Sequence, residues 1–287
     1  MFDAFNRSWQ ITKLCFNIMN KDKRLFLFPI ISGIFSILFV LAMVFPSIIL
    51  PSLTSNQGLA EGINWIIVFG IYFGLAFIAT FFNVGVVYII KNTLDNKKVS
   101  FGDAMKFAFS RIGIILAWSL ISATVGLILR ILDEVAERIG GIGEIIIKVL
   151  TSIIGGVWSI MTLFVVPVMV YEKVGPFKAI SRSVETLKKT WGETLIKQVG
   201  VGLMAFLFIL LGIIATILGI ILLSTLGTIV LLVFIVIMVI YFMAIISFFS
   251  VANNVYNTAL YVYGNTGTVP LGFDQNIVQN SFSEKKE

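Results

Sequence analysis

The chain has 287 residues, 58% hydrophobic and only 13% charged, with a mean hydropathy of +1.01. Soluble domains carry about a quarter charged residues, so this composition excludes an ordinary water-soluble domain and points to a polytopic membrane protein. The net charge of +6 does not indicate nucleic acid, because almost every Lys and Arg flanks an apolar run, where positive charge sets membrane orientation.

Residues 1–24 read as an amphipathic helix. Phe2, Phe5, Trp9, Phe16 and Met19 recur at spacings of three and four, with Thr12 filling one place, and Lys21, Lys23 and Arg24 close the stretch. The first apolar run, about 25–50, carries no early small-residue cleavage site and reads as a retained span. After a loop at 52–62 with Glu61 and no base, a second span covers about 63–90 and ends in Lys91, Lys97 and Lys98. Ser100 and Asp103 have the spacing of a capping box, opening a weaker amphipathic piece at 100–110 in which Phe101, Met105 and Phe109 share a face with Ile112. The third span is about 112–129. Residues 130–148 read as an acidic-leaning loop with Asp133, Glu134, Glu137 and Glu144, broken by Gly140, Gly141 and Gly143. The fourth span, about 149–171, is kinked by Pro167 or relaxed there by neighbouring helices.

Residues 175–191, GPFKAISRSVETLKKTW, predict a helix lying on the membrane surface. Pro176 suits a first helical turn, and Phe177, Ile180, Val184, Leu187 and Trp191 form one apolar stripe. One apolar run then covers 195–263, enough for two spans with a turn at 224–228, and a polar tail follows residue 264.

This gives an all-α protein of six spans in three hairpins, each introduced by an amphipathic piece: 1–24, 100–110 and 176–191. The expected organisation is an N-terminal amphipathic cytoplasmic helix (1–24), a six-span transmembrane domain (25–263) and a polar cytoplasmic tail (264–287). With both termini inside the cell membrane, 18 of the 21 Lys and Arg residues fall inside and only Arg130, Arg138 and Lys148 outside.

The chemistry on offer is sparse. There is no histidine, the commonest metal ligand and general base, and Cys15 is the only cysteine. The spans hold no ionisable residue between their ends, which argues against a proton-driven pump but leaves a pathway lined by amides and hydroxyls. Asn83, Asn253 and Asn254 are the candidates for a polar cavity facing the cytoplasm. Bonding across helices, worth about 0.6 kcal/mol on average, is the favoured alternative for them. Lys178, Arg182, Lys188 and Lys189 are the candidates for contact with anionic lipid headgroups while the apolar stripe enters the interface. The alternative is that this stripe packs on the bundle as core.

Small residues four apart (Gly70 and Gly74, Gly212 and Thr216, Ala215 and Gly219) permit close helix approach, as does Gly126. They favour internal packing and leave a homo-oligomer open. The acidic cluster has oxygen ligands for a divalent cation, but Arg130, Arg138 and Lys148 are interleaved with it and make a solvated helix face the better reading. No phosphate-binding loop, nucleophile elbow or zinc spacing occurs, so no catalytic, cofactor-binding or metal residue is assigned.

Four stretches carry a resemblance: FNRSWQITK with KDKRLFLFPIISG at the start, FFNVGVVY at 81–88, FVVPVMVYEKVGPFKAISRSVETLKKTWGE at 164–193 and ALYVYGNTGTVPLGFD at 259–274. Together they resemble a prokaryotic family of integral membrane proteins known only as domain of unknown function 6159. The resemblance implies a multi-span membrane protein with no established activity and no catalytic residues. The 175–191 pattern is also similar, more loosely, to membrane domains attached to glycerophosphodiester phosphodiesterases, in which the hydrolase is a separate soluble domain.

The expectation is a transport-type or lipid-binding helical bundle without enzymatic chemistry or cofactor. Its expected partners are membrane lipids, anionic on the cytoplasmic face, and not nucleic acid. The alternative is a non-transporting organiser acting through its basic amphipathic helices.

Overall fold

A computed structural model describes residues 2–52, 57–191 and 201–268, and among these every regular element is helical. In chain order they are α1 (Phe2–Lys21), a 3₁₀ turn (Lys23–Phe26), α2 (Leu27–Ser52), α3 (Gln57–Leu94), α4 (Phe101–Ser110), α5 (Ile112–Ile139) and α6 (Gly141–Met161). Then follow α7 (Val165–Glu172), α8 (Pro176–Trp191), α9 (Val201–Leu223), a second 3₁₀ turn (Ser224–Leu226) and α10 (Thr228–Thr266). Six helical stretches are long and apolar enough to cross a membrane: Lys23–Ile49, Gly58–Leu94, Ile112–Ile139, Gly141–Glu172, Met204–Leu223 and Thr228–Thr266.

The element boundaries follow local chemistry. Asp22 caps the first 3₁₀ turn, accepting from the Arg24 N–H at 3.1 Å, and its carboxylate takes two further bonds from the Arg24 guanidinium at 2.7 Å each. Ser100 and Asp103 form the capping box at the start of α4, with the Asp103 N–H donating to Ser100 Oγ at 3.0 Å and the Ser100 N–H to Asp103 Oδ2 at 2.9 Å.

The expected loop at 130–148 is instead helix almost throughout. Arg130–Glu134 at 3.2 Å and Glu144–Lys148 at 2.6 Å are one turn apart and support the helices on either side. Only Gly140 and Gly141, at φ +67° and +59°, leave helical geometry between them. Counting charges as loop was the error, since alternating charges one turn apart also suit an exposed helix. The predicted loop at 52–62 likewise shrinks, with α3 starting at Gln57; the polar tail beyond 268 lies outside the described residues.

Two compact units divide the chain. The first comprises residues 1–30, 89–98 and 188–287. Within it α9 and α10 pack along each other, and α1 packs on both. Gly219 and Gly212 of α9 receive Phe234 and the Tyr241–Phe242 pair of α10, and the Tyr241 hydroxyl donates to the Phe208 carbonyl at 2.9 Å. The small residues thus make sockets for aromatic rings inside the chain. Burial along α10 is uneven: Ile229, Val233, Val236 and Ile240 are exposed, whereas Phe249, Val251, Ala252, Val255 and Leu260 are buried.

The second unit comprises residues 31–88 and 99–187. Here α5 and α6 pack along each other, with Trp118 and Trp158 stacked at 5.9 Å. Phe39 of α2 fills the notch at Gly74, and Tyr72 of α3 the notch at Gly126. Gly70 has no neighbour where a Cβ would be. The densest core lies at α7, where Val165, Pro167, Val168, Met169 and Val170 are all buried. Elsewhere Ile142, Ile66 and Ile145 stand 78%, 73% and 64% exposed, in apolar bands that suit hydrocarbon as their solvent.

Candidate functional site

The stretch 164–191 folds around a broken helix. A proline at position 167 cannot donate to the carbonyl of residue 163, and its ring crowds that carbonyl. The helix accordingly stops at Met161, turns through Thr162–Phe164 and restarts at Val165, with Pro167 in the first turn of α7. The break frees the Phe164 N–H, which donates to Ser183 Oγ of α8 at 3.0 Å; both residues are completely buried. Lys173, at φ +51°, ends α7 in a left-handed turn, and Pro176 starts α8. Arg182 then lies 3.2 Å from Glu172 at the end of α7 and 2.8 Å from Glu185 on its own helix.

This hairpin fixes which face of α8 turns inward. The buried residues are Ala179, Ser183, Thr186 and Leu187. Phe177 is 77% exposed, and Ile180 and Val184 are only half-buried. The apolar stripe anticipated from spacing is therefore rotated away from the docking face, with only Leu187 shared between the two. The Trp191 side chain lies outside the described residues.

The same arrangement recurs on α4 and α1. In α4 the buried residues are Ala104 and Ala108, while Phe109 is 58% exposed. Phe107 stacks on Tyr88 at 4.2 Å, and the Arg111 guanidinium lies over the Phe107 ring, 5.0 Å from its centroid. Arg111 Nη1 is buried with no hydrogen-bond partner, and burial lowers the Arg111 pKa from its usual value. In α1 the buried residues are Thr12, Cys15, Ile18 and Met19, while Trp9 and Phe16 are 50% and 42% exposed. Burial pushes the Cys15 thiol up to about 12, so it stays protonated and inert. Phe2 and Phe5 have side chains outside the described ones. All three helices thus bury small side chains (with Ile18, Met19 and Leu187 beside them) and leave Trp9, Phe16, Phe109 and Phe177 partly exposed, although Phe109 still meets Phe81 edge-on at 4.9 Å.

An apolar pocket of about 460 Å³ opens in the first unit between α1, α9 and α10. Trp9, Thr12, Lys13 and Phe16 of α1 line one side, with Phe208 of α9 and Ile245, Phe248 and Phe249 of α10 on the others. Among the described residues Lys13 is its only charged lining residue. The rings are organised around Phe248, which meets Phe16 at 6.0 Å, Phe26 at 6.3 Å and Phe249 edge-on at 5.1 Å. Sequence spacing gave the aromatics of α1 but no sign of a pocket, because its walls come from segments more than 190 residues apart.

The residues anticipated as a polar cavity fall in different units. Asn83 is half-buried on α3 in the second unit. Asn254 is half-buried on α10 and donates to the Ser250 carbonyl one turn back at 2.9 Å, and Asn253 is exposed. Neither Asn253 nor Asn254 lines the pocket of the first unit. Of the anticipated lipid-contact residues, Lys178, Lys188 and Lys189 are exposed on α8, while Arg182 is half-buried between its two carboxylates. In the acidic segment Lys148 pairs with both Glu144 and Glu137, at 2.6 and 3.5 Å. Among the described residues no three His, Cys, Asp or Glu side chains gather as they would around a metal ion.

Six apolar helices of bilayer-spanning length, with apolar bands on their outer faces, make this a multi-pass membrane protein. The chain belongs to the Family of unknown function (DUF6159), whose model matches residues 62–271, from early in α3 to just beyond α10. No curated protein matches it.

Proposed function

We propose that the protein is a lipid-binding helical bundle of the cell membrane, without enzymatic chemistry, whose three hairpins are each introduced by a helix resting in the cytoplasmic interface. The observation that carries this reading is the inversion seen on α1, α4 and α8. A helix that served only as core would bury its largest apolar side chains, since each contributes about 1.5–3 kcal/mol on burial. These helices instead leave Trp9, Phe16, Phe109 and Phe177 at 42–77% exposure, even where a ring touches a neighbour, as Phe16 meets Phe248 at 6.0 Å and Phe109 meets Phe81 at 4.9 Å. On α8, Lys178, Lys188 and Lys189 are outward as well. Aromatic and basic side chains on one exposed surface are what an anionic headgroup layer accommodates. The distribution of Lys and Arg supports a cytoplasmic side for that surface and for both termini. The apolar pocket between α1, α9 and α10 favours a binding role over a purely organising one.

Replacing Lys178, Lys188 and Lys189 together by Gln tests the reading. At about 1 kcal/mol for each basic residue near an anionic surface, the change should weaken enrichment of anionic lipid around the reconstituted protein by about 3 kcal/mol. The measurement is the composition of lipid retained after purification from mixed membranes. An unchanged composition in the triple variant refutes the electrostatic role of α8.

A further inference from the structure

We infer that the pocket between α1, α9 and α10 is a specific site for one acyl chain of an anionic membrane lipid, whose headgroup is held by Lys13. The inference rests on the lipid-binding reading above and gives it a place, a ligand class and a stoichiometry.

Depth comes first. Helix rise is 1.5 Å per residue, so Ile245, Phe248 and Phe249 lie about 26, 30 and 32 Å along α10 from its start at Thr228. Phe208 lies about 23 Å from the end of α9 at Leu223. With the 3₁₀ turn at Ser224–Leu226 on one membrane surface, the pocket falls near the opposite surface of a hydrocarbon layer about 30 Å thick. That is the depth at which an acyl chain meets its headgroup.

Size and chemistry follow. At ~30 Å³ per methylene, about the share of one water molecule in the liquid, 460 Å³ holds a chain of about fifteen carbons. The walls are aromatic and aliphatic, with Thr12 and Lys13 supplying a hydroxyl and an ammonium among the described lining residues. Lys13 is exposed, and its stem borders the pocket, so its ammonium can reach the headgroup layer in the manner of a snorkelling lysine. A soluble anion has no use for the aromatic walls, and a neutral lipid none for the lysine. An anionic lipid uses both.

The test uses the full chain in nanodiscs of phosphatidylcholine containing a minor fraction of one acyl-brominated lipid, either phosphatidylglycerol or phosphatidylcholine. Trp9 lines the pocket and reports bromine contact as quenched fluorescence, and a Trp9→Phe variant supplies the signal of the other tryptophans. The expected result is about fivefold preferential occupancy by the anionic lipid, which is the effect of one lysine near the headgroups. Lys13→Glu should abolish that preference, while Lys97→Glu in the exposed turn after α3 should leave it intact. Equal quenching by the two lipids, or a preference that survives Lys13→Glu, overturns the pocket assignment. Loss of the preference in Lys97→Glu does so too, since it would mark general surface attraction.

Native mass spectrometry of the unmodified chain gives an independent reading. One retained anionic lipid per chain, lost in Lys13→Glu, supports the site, and unchanged retention in that variant overturns it. Bulk anionic enrichment without any Trp9 effect overturns the pocket alone, whereas no enrichment at all overturns the lipid-binding reading with it.

Discussion

Ser183→Ala is the substitution that most directly probes how the family-matched segment holds together. It removes one oxygen from a completely buried position and leaves the Phe164 N–H, which donates to it at 3.0 Å, without that acceptor. A buried donor left unsatisfied costs about 1–3 kcal/mol, far more than the small loss of packing volume. The bond exists because Pro167 breaks the helix. Pro167→Ala restores an N–H at 167 and removes the ring from the carbonyl of Leu163, so the helix can close across 162–164. The Phe164 N–H can then donate to Ile160 in the ordinary way, and Ser183 becomes dispensable. Ser183→Ala should therefore cost about 1–3 kcal/mol in the native background and close to nothing beside Pro167→Ala, a coupling well above the ~0.3–0.5 kcal/mol expected of independent sites. Reversible unfolding in mixed micelles measures the four stabilities, and hydrogen exchange at the Phe164 amide reports the bond itself. Equal costs of Ser183→Ala in both backgrounds would refute the link between the proline break and the serine.

Three further outcomes follow from other parts of the molecule. Gly212→Ala places a methyl against Tyr241 and Phe242 and disturbs the Tyr241–Phe208 bond, so α9–α10 packing should weaken by about 1–3 kcal/mol in the same unfolding assay; a neutral result would mean that the socket is loose. The Cys15 thiol is raised from 9.0 to about 12, so above pH 9 the unfolded chain loses a proton that the folded chain keeps. Stability is unaffected by this group below pH 9 and should fall between pH 9 and 12, with the fall reduced in Cys15→Ala and thiol reagents inactive on the folded protein at pH 8. Asp103 is held below its ordinary 3.8 by bonds from Ser100, so its support of α4 is present above that value and disappears as pH drops further. Amide exchange in the first turn of α4 should accelerate there, and Ser100→Ala should flatten the pH dependence.

Much of the architecture was legible because hydrophobic length is a strong signal: the five apolar runs, the last long enough for two spans, became six helical stretches long and apolar enough to cross a membrane. Pro167, the Ser100–Asp103 box and the 224–228 turn were also readable, since each acts through its own backbone neighbourhood. The 130–148 segment was misread because charge content alone does not separate an exposed helix from a loop; the i,i+4 pairs Arg130–Glu134 and Glu144–Lys148 were the available clue. The orientation of α8 was not legible for a different reason. Periodicity locates the apolar stripe of a helix, and in water that stripe is the buried face, but beside a bilayer a helix has two apolar neighbours to choose between. Ala179 and Ser183 face the protein because small residues allow close docking, and Phe177 faces the other way. Ser183 itself carried no signal, as its partner is a backbone group exposed by a proline sixteen residues earlier.

The uneven burial of α10 makes one continuous helix answer to two different environments. Its first half is bare of protein on much of its surface and depends on whatever apolar medium surrounds it, whereas its second half is gripped by α1 and its neighbours in the same unit. Local opening energies scale with such contacts, so the helix should not open as a single cooperative rod. Exchanging lipid for a short-chain detergent should loosen residues 228–246 while residues 247–261 keep their protection, and the boundary between them would fall at the aromatic pair Phe248–Phe249. A solvent change applied from outside the molecule is thereby confined to the outer portion of the helix and stops at a ring contact.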